Sequence, residues 1–188
     1  YILYLVARLV CQLYLPALDA IRSLGYSFFS QIYIALPISL MTLLYSRCGT
    51  PHLVLGIFIM IWLNDTGAFI VGSAIGRHRL FPRISPKKSW EGFWGGVVFA
   101  IAAGILFGTC FQHFFSGLNT IQLAVAGAVV AAFATWGDLV ESLIKRTLGV
   151  KDSGNIIPGH GGILDRIDSL LLVAPATLIF LSICIIAI

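Results

Sequence analysis

Charge is what this sequence has least of. Aspartate, glutamate, lysine and arginine make up 11% of the chain, against a hydrophobic share of 59% and a mean hydropathy of +0.96. A soluble domain carries about 25% charged residues, so a normal solvated surface is excluded and the chain reads as an integral membrane protein. Cysteine is scarce as well. Cys11, Cys48, Cys110 and Cys184 stand alone without CxxC spacing, which leaves them as small apolar fillers rather than a metal cage. No GxxxxGK[ST] run occurs, so a P-loop is excluded. The apolar runs lack period-two alternation in blocks of about ten residues, which argues against a lipid-embedded barrel. The chain opens on Tyr1 inside an apolar run rather than on Met; this reads as a shortened N-terminus and leaves a signal peptide undecided.

Long apolar runs are what the sequence does have. A helix crossing the hydrocarbon core needs about 20 mostly apolar residues, and such segments lie near 1–18, 27–46, 52–74, 92–112, 119–137 and 169–188. In lipid only helices and closed barrels satisfy the backbone, so the expected fold is all-α: a polytopic transmembrane helix bundle of about six spans. Orientation follows from the cations. Ten of the twelve Lys and Arg, namely Arg22, Arg77, Arg79, Arg83, Lys87, Lys88, Lys145, Arg146, Lys151 and Arg166, fall in alternate loops, and the positive-inside rule makes that side cytoplasmic.

The acidic residues are more concentrated still. All but Asp19 of the eight lie in or beside "WLNDTGAF" (62–69), "RISPKKSWEG" (83–92) and the stretch 136–168. Asp65 falls within an apolar run beside Asn64 and Thr66, where an ionisable group faces a polar cavity or a partner; the bland alternative is a buried polar pair holding two helices together. In the second segment Pro82 and Pro86 forbid helix before Lys87 and Lys88. Ser85 or Ser89 then caps the next span, with Glu91 in its first turn. A basic pair beside a helix start suits an anion, although on this loop alone a topology signal at the lipid headgroups is the simpler reading.

In the third segment Asp138, Glu141, Ser142 and Lys145 are spaced i, i+3, i+4 and i+7, which lines them along one face of a helix. After Gly149 a Gly/Pro loop is expected, and helix resumes near Ile163 with Asp165 and Asp168 on one side. Clustered carboxylates repel one another unless a hard cation sits between them. Mg²⁺ takes a few carboxylates plus phosphate oxygens, and two such ions can clamp an in-line phosphoryl displacement. Five glycines (149, 154, 159, 161 and 162) let backbone N–H groups approach an anion. A salt-bridged helix cap, Asp165 with Arg166 and Asp152 with Lys151, is the plainer alternative. "KDSGN" starts like an EF-hand loop but lacks the closing acid. His160 stays open between a phosphate donor, a metal ligand and a loop-ordering hydrogen bond.

Taken together, Ser142-Leu-Ile-Lys-Arg, then Lys151-Asp-Ser-Gly-Asn-Ile-Ile-Pro-Gly-His160-Gly-Gly-Ile-Leu-Asp165-Arg-Ile-Asp168 resembles the signature of the phosphatidate cytidylyltransferases, also called CDP-diacylglycerol synthases. "WLNDTGAF" followed by "GSAIGRHRL", and "SPKKSWEG", resemble the same family, with Ser89 where many members carry Thr. The resemblance covers residues 60 to 170 well, whereas the first 50 carry no motif. It divides the chain into N-terminal transmembrane segments (1–50) and a catalytic transmembrane domain (51–188) with cytoplasmic loops 75–91 and 138–168.

The resemblance implies transfer of CMP from CTP to phosphatidic acid, giving CDP-diacylglycerol and pyrophosphate. By similarity the metal ligands are Asp138, Asp165 and Asp168, holding Mg²⁺ in a two-metal centre. Lys145, Arg146, Lys151 and Arg166 hold phosphate oxygens, with Lys87, Lys88, Ser85 and Ser89 completing that surface. Asp65, Glu91, Glu141, Ser142, Asp152 and His160 line the same polar cavity. Expected partners are CTP, phosphatidic acid from the bilayer and the membrane itself, with no nucleic acid. The expected compartment is a bacterial inner membrane with the site facing the cytoplasm. Gly72/Gly76, Gly92/Gly96 and Gly104/Gly108 have small-xxx-small spacing and serve packing in the bundle or a homodimer. The DGxxAR and GxxxDxxxD pattern of CDP-alcohol phosphotransferases is absent, and the gathering of polar residues at one edge argues against a permeation path.

Overall fold

The computed structural model describes residues 1–14, 19–48, 50–115, 117–154 and 162–186. His160 and its neighbours Gly159 and Gly161 lie outside the described residues. The chain is helical, as its apolar runs require: α1 (Ile2–Tyr14), α2 (Ala20–Ser30), α3 (Leu36–Cys48), α4 (His52–Ile75), α5 (Trp90–Cys110), α6 (Thr120–Thr147) and α7 (Leu164–Ile186). α2 and α3 are one rod joined by a single π-turn over Gln31–Ala35. Five helices are long and apolar enough to cross a membrane: Ala20–Arg47, His52–Ile75, Trp90–Cys110, Thr120–Thr147 and Leu164–Cys184. The segment expected near 1–18 is a shorter apolar helix, α1, of 13 residues. Large apolar side chains such as Trp62, Phe69, Ile121 and Ile179 remain exposed on the outside of the bundle, as they do where the solvent is lipid.

Local signals set the helix ends. Asp19 caps α2 by accepting the Arg22 N–H at 3.2 Å, and Asn119 forms a capping box with Gln122 at the start of α6. Of the two serines that can cap α5, Ser89 does so, accepting the Gly92 N–H at 3.1 Å. The loop before it departs from an all-helical expectation. Arg79–Phe81 (β1) and Ser85–Ser89 (β2) pair as a small antiparallel ribbon with Arg79 opposite Ser89 and Phe81 opposite Ser85. Pro82 and Pro86 bar helix there, and the extended backbone they leave pairs with itself.

The long helices alternate in direction. The ribbon joins α4 to α5 at one end of the bundle; at the other, His52 of α4 lies against Phe114, and Phe107 stacks on Phe115. Arg77, Arg79, Arg83, Lys87 and Lys88 lie in or beside the ribbon, and Lys145 lies with the acidic residues that Lys88 reaches from it. The helices meet through glycines. A Cβ on Gly92 would lie 2.8 Å from the Ala68 carbonyl, and one on Gly67 would lie 2.9 Å from that of Gly95, so α4 and α5 touch backbone to backbone. Gly104 and Gly127 do the same for α5 and α6, against the Leu123 and Ala100 carbonyls. The paired glycines read from the sequence thus serve packing within the chain.

Placing a methyl group at Gly104 forces it into the Leu123 carbonyl. Gly104→Ala is expected to lower stability by about 1–3 kcal/mol, the usual effect of overpacking, read as a fall in the thermal midpoint in detergent. Gly25→Ala is the control, since nothing lies within 4 Å of its Cβ position; it should be neutral or stabilising by roughly 0.5–1 kcal/mol.

Candidate active site

α6 supplies the spine of the polar cluster at the ribbon end. Its 3.6-residue period lines Asp138, Glu141, Ser142 and Lys145 along one face. The Ser142 hydroxyl donates to Asp138 Oδ1 at 3.3 Å, and Lys145 Nζ lies 2.7 Å from Glu141 Oε2. α7 approaches this face because residue 137 is glycine: a Cβ there would sit 2.8 Å from the Asp168 carbonyl and 3.1 Å from Ser169 Cα. Asp168 is thereby drawn level with α6. One oxygen each of Asp138, Glu141 and Asp168 lies within 4.8 Å of the other two.

Three carboxylates this close need cations. Lys88 reaches from β2 to Asp138 Oδ2 at 2.6 Å and donates to the Thr135 carbonyl at 3.2 Å. Lys145 bridges α6 and α7, holding Glu141 and, at 2.8 Å, Asp165 Oδ1. Glu141 is 1% exposed, yet its Oε1 has no hydrogen-bond partner among the described residues. A buried carboxylate oxygen without a donor is costly. An all-oxygen donor set with one such atom fits a hard divalent cation.

This triad differs from the set expected from the sequence, Asp138, Asp165 and Asp168. Asp165 instead accepts from Lys145 Nζ, the Ser153 N–H and hydroxyl (both 2.9 Å) and the Gly162 N–H (2.7 Å). It sits one turn ahead of Asp168, in the first turn of α7, where it gathers the free donors on both sides of the loop. Glu141, expected on the substrate side, takes its place among the carboxylates.

A cleft of about 270 Å³ opens beside Asp138. Asn64, Asp65, Lys87, Lys88, Ser89 and Asp138 line its polar side, and Ala68, Phe69, Leu80 and Phe93 its apolar side. Asn64 Nδ2 donates to Asp65 Oδ1 at 3.2 Å. The Thr135 side of the cleft was missed from sequence; its position one turn before Asp138 on the same face was the available signal. Ser85, Glu91 and Ser142 are not brought to this cleft. Ser85 pairs in the ribbon, and Glu91 clasps the end of α4, meeting His78 Nδ1 at 2.6 Å and accepting the Arg77 and His78 N–H groups at 3.2 Å. Arg146, Lys151, Asp152 and Arg166 are exposed at the same end of the bundle.

The sequence model described as the cytidylyltransferase family matches residues 1–184. A protein of Staphylococcus haemolyticus named phosphatidate cytidylyltransferase is 46% identical over 130 residues, covering 69% of this chain and 49% of its own length. A protein of the same name from Bacillus subtilis is 47% identical over 117 residues, 62% of this chain and 42% of its own. The chain spans about half the length of the curated relatives it matches.

Lys145→Met would leave the buried Glu141 without its cation and remove one of the four donors of Asp165. It is expected to destabilise by about 3 kcal/mol, as for removal of one partner from a buried ion pair, measured by denaturant unfolding in detergent. Adding Glu141→Gln should restore part of the loss, because the buried charge left without a cation is then gone.

Proposed function

The chain belongs to the cytidylyltransferase family, and on that premise we propose that the protein containing it is a phosphatidate cytidylyltransferase, transferring CMP from CTP to phosphatidic acid. The observation that carries the reading is the acidic triad of Asp138, Glu141 and Asp168, set beside a cleft with an apolar side and a polar side on which Lys87 and Lys88 stand with Asp65 and Asp138. The bacterial relatives bear that enzyme's name.

In the proposed reaction an oxygen of the phosphatidate phosphate attacks the α-phosphorus of CTP. A P–O bond forms, the bond to the β-phosphate oxygen breaks, and pyrophosphate leaves with that electron pair. A phosphomonoester is already anionic near neutral pH, so the site needs no strong base. Its task is to bring two polyanions together.

Lys87, Lys88, Ser89 and the start of α5 supply the cations and donors of the polar side and suit the lipid phosphate. Phe69 and Phe93 on the apolar side suit the first carbons of its chains. Lys145, Arg146, Lys151 and Arg166 suit the triphosphate. Mg²⁺, one ion or a pair, would be held by Asp138, Glu141 and Asp168 and would offset phosphate charge. Asp165 acts through Lys145 and Ser153, holding the loop against α6. The roles proposed for Asp65 and Asp152 are to shape the same polar surface. His160, on the Gly-rich loop, is proposed to meet phosphate.

The site faces the cytoplasm of a bacterial cell in this reading, since the basic residues share its side and CTP is cytosolic. A homodimer would form on surfaces other than the glycine seams, which are filled within the chain.

Mg²⁺-dependent formation of CDP-diacylglycerol by the full-length protein in detergent tests the proposal. Product from the wild type with a loss of at least about a hundredfold in Asp168→Asn (~2.7 kcal/mol in barrier) is expected. Equal activity in the folded variant would refute the metal role, and no product from a folded wild type would refute the reaction. A cysteine placed at Arg83, in a background cleared of native cysteines, should react with an impermeant maleimide in inside-out vesicles and not in intact cells.

A further inference from the structure

The short helix α1 turns its two most polar side chains inward. Within Ile2–Tyr14 only Leu5, Arg8 and Gln12 are at least partly buried, a single stripe at i, i+3 and i+7. α1 runs antiparallel to the rod α2–α3, with the Tyr1 hydroxyl donating to the Ala35 carbonyl at one end and Arg8 against Ser23 and Ser27 towards the other. Arg8 Nη2 donates to Ser23 Oγ at 2.7 Å, and Arg8 Nε donates to Ser27 Oγ at 2.9 Å. A guanidinium held by two neutral hydroxyls still carries its whole charge. No carboxylate among the described residues pairs with it; Asp19, the nearest along the chain, holds Arg22 at 3.2 Å.

Three atoms of this stripe are buried without a hydrogen-bond partner among the described residues: Arg8 Nη1, Gln12 Nε2 and Gln12 Oε1. Gln12 is only 9% exposed, and it lies one turn from Arg8 on the same face. An unmatched cation and an unmatched amide are each costly in an apolar bundle. Side by side they offer two donors and an acceptor to one polar ligand. Depth identifies the ligand. The rod ends at Cys48, just before α4 starts at His52 on the side remote from the ribbon, so α2 begins at the ribbon end. Its 28 residues, Ala20–Arg47, are about 42 Å long, roughly 12 Å more than the hydrocarbon core. Ser23 and Ser27, within about two turns of its start, therefore lie at the edge of the hydrocarbon, level with lipid phosphates. Leu9, Ile21 and Tyr26 stay exposed around them, which leaves the hairpin open to the bilayer.

We propose that Arg8 and Gln12, on the Ser23–Ser27 face of α2, bind the phosphate of a bilayer phospholipid at a site apart from the cleft beside Asp138. The planar guanidinium suits phosphate oxygens. The Gln12 amide N–H donates to another of them, and Gln12 Oε1 accepts from a headgroup hydroxyl such as that of phosphatidylglycerol. The phosphate supplies the counter-charge that Arg8 lacks and ties α1 to α2 at headgroup level. This site does not depend on the reaction read for the cleft.

Delipidated full-length protein in dodecyl maltoside, given phosphatidylglycerol or inorganic phosphate, tests this through the thermal midpoint and through bound lipid counted by native mass spectrometry. In the wild type phosphatidylglycerol is expected to stay bound and raise the midpoint, and inorganic phosphate to do neither. Arg8→Gln should weaken phosphatidylglycerol about tenfold, as for loss of a hydrogen bond to a charged group. Gln12→Leu covers the case in which Arg8→Gln does not fold. It should also weaken the lipid, yet leave the lipid-free midpoint unchanged or raised, because the orphaned amide is gone. Arg22→Gln, which removes an exposed cation at the same level, should bind lipid as the wild type does. An equal loss in Arg22→Gln would reduce the effect to general surface attraction and overturn the site. Protection by inorganic phosphate equal to that by lipid would overturn the lipid as its source. Wild-type lipid binding in both Arg8→Gln and Gln12→Leu would overturn the proposal outright, and is the result expected if a carboxylate elsewhere in the full-length protein meets Arg8.

Discussion

Carboxylates in an apolar bundle must be held against their mutual repulsion, and the rest of this structure is arranged around that requirement. Asp138, Glu141 and Asp168 meet within 4.8 Å at one end of a molecule whose exterior is built for lipid. Lys88 comes to them from the ribbon and Lys145 from α6 itself. Each lysine also ties one element to another, so charge balance and tertiary connection are the same contacts. The ribbon is held to α6 through Lys88, and α7 is held to α6 through Lys145 and Asp165.

Close helix packing makes the cluster possible. α6 runs through the centre of the bundle, with Leu123, Val130, Ala131 and Ala134 fully buried. It is reached on one side by α5 through Gly104 and Gly127, and on the other by α7 through Gly137. Only at Gly137 does this approach have a chemical consequence, because the neighbour there is Asp168. A side chain at 137 would hold α7 away and separate its carboxylate from those of α6.

The cleft beside Asp138 has an apolar wall and a polar wall that carries Lys87 and Lys88. For the proposed reaction this would suit a lipid phosphate, whose chains would stay in the bilayer while its headgroup turned toward the polar side of the cleft. Glu91 supports the arrangement from outside, joining the end of α4 to the first turn of α5 through His78 and two backbone donors.

Five of the spans and the polar end were legible in the sequence, because each depends on local composition: apolar length, the clustering of charge, and a 3.6-residue period that lines Asp138, Glu141 and Lys145 on one face. The Ser89 cap was legible for the same reason. The ribbon was not, since prolines exclude helix without saying what the strand will pair with. Neither was the membership of the triad. Asp165 and Asp168 share a face of α7, and only the height at which α7 meets α6, set by backbone contact at Gly137, draws Asp168 to Glu141 and leaves Asp165 to the Ser153 loop. By itself the sequence determined which residues are polar and at which end of the membrane bundle they gather; the packing of α6 and α7 decided which of them meet, because distances between carboxylates are set by helix contacts and not by spacing along the chain.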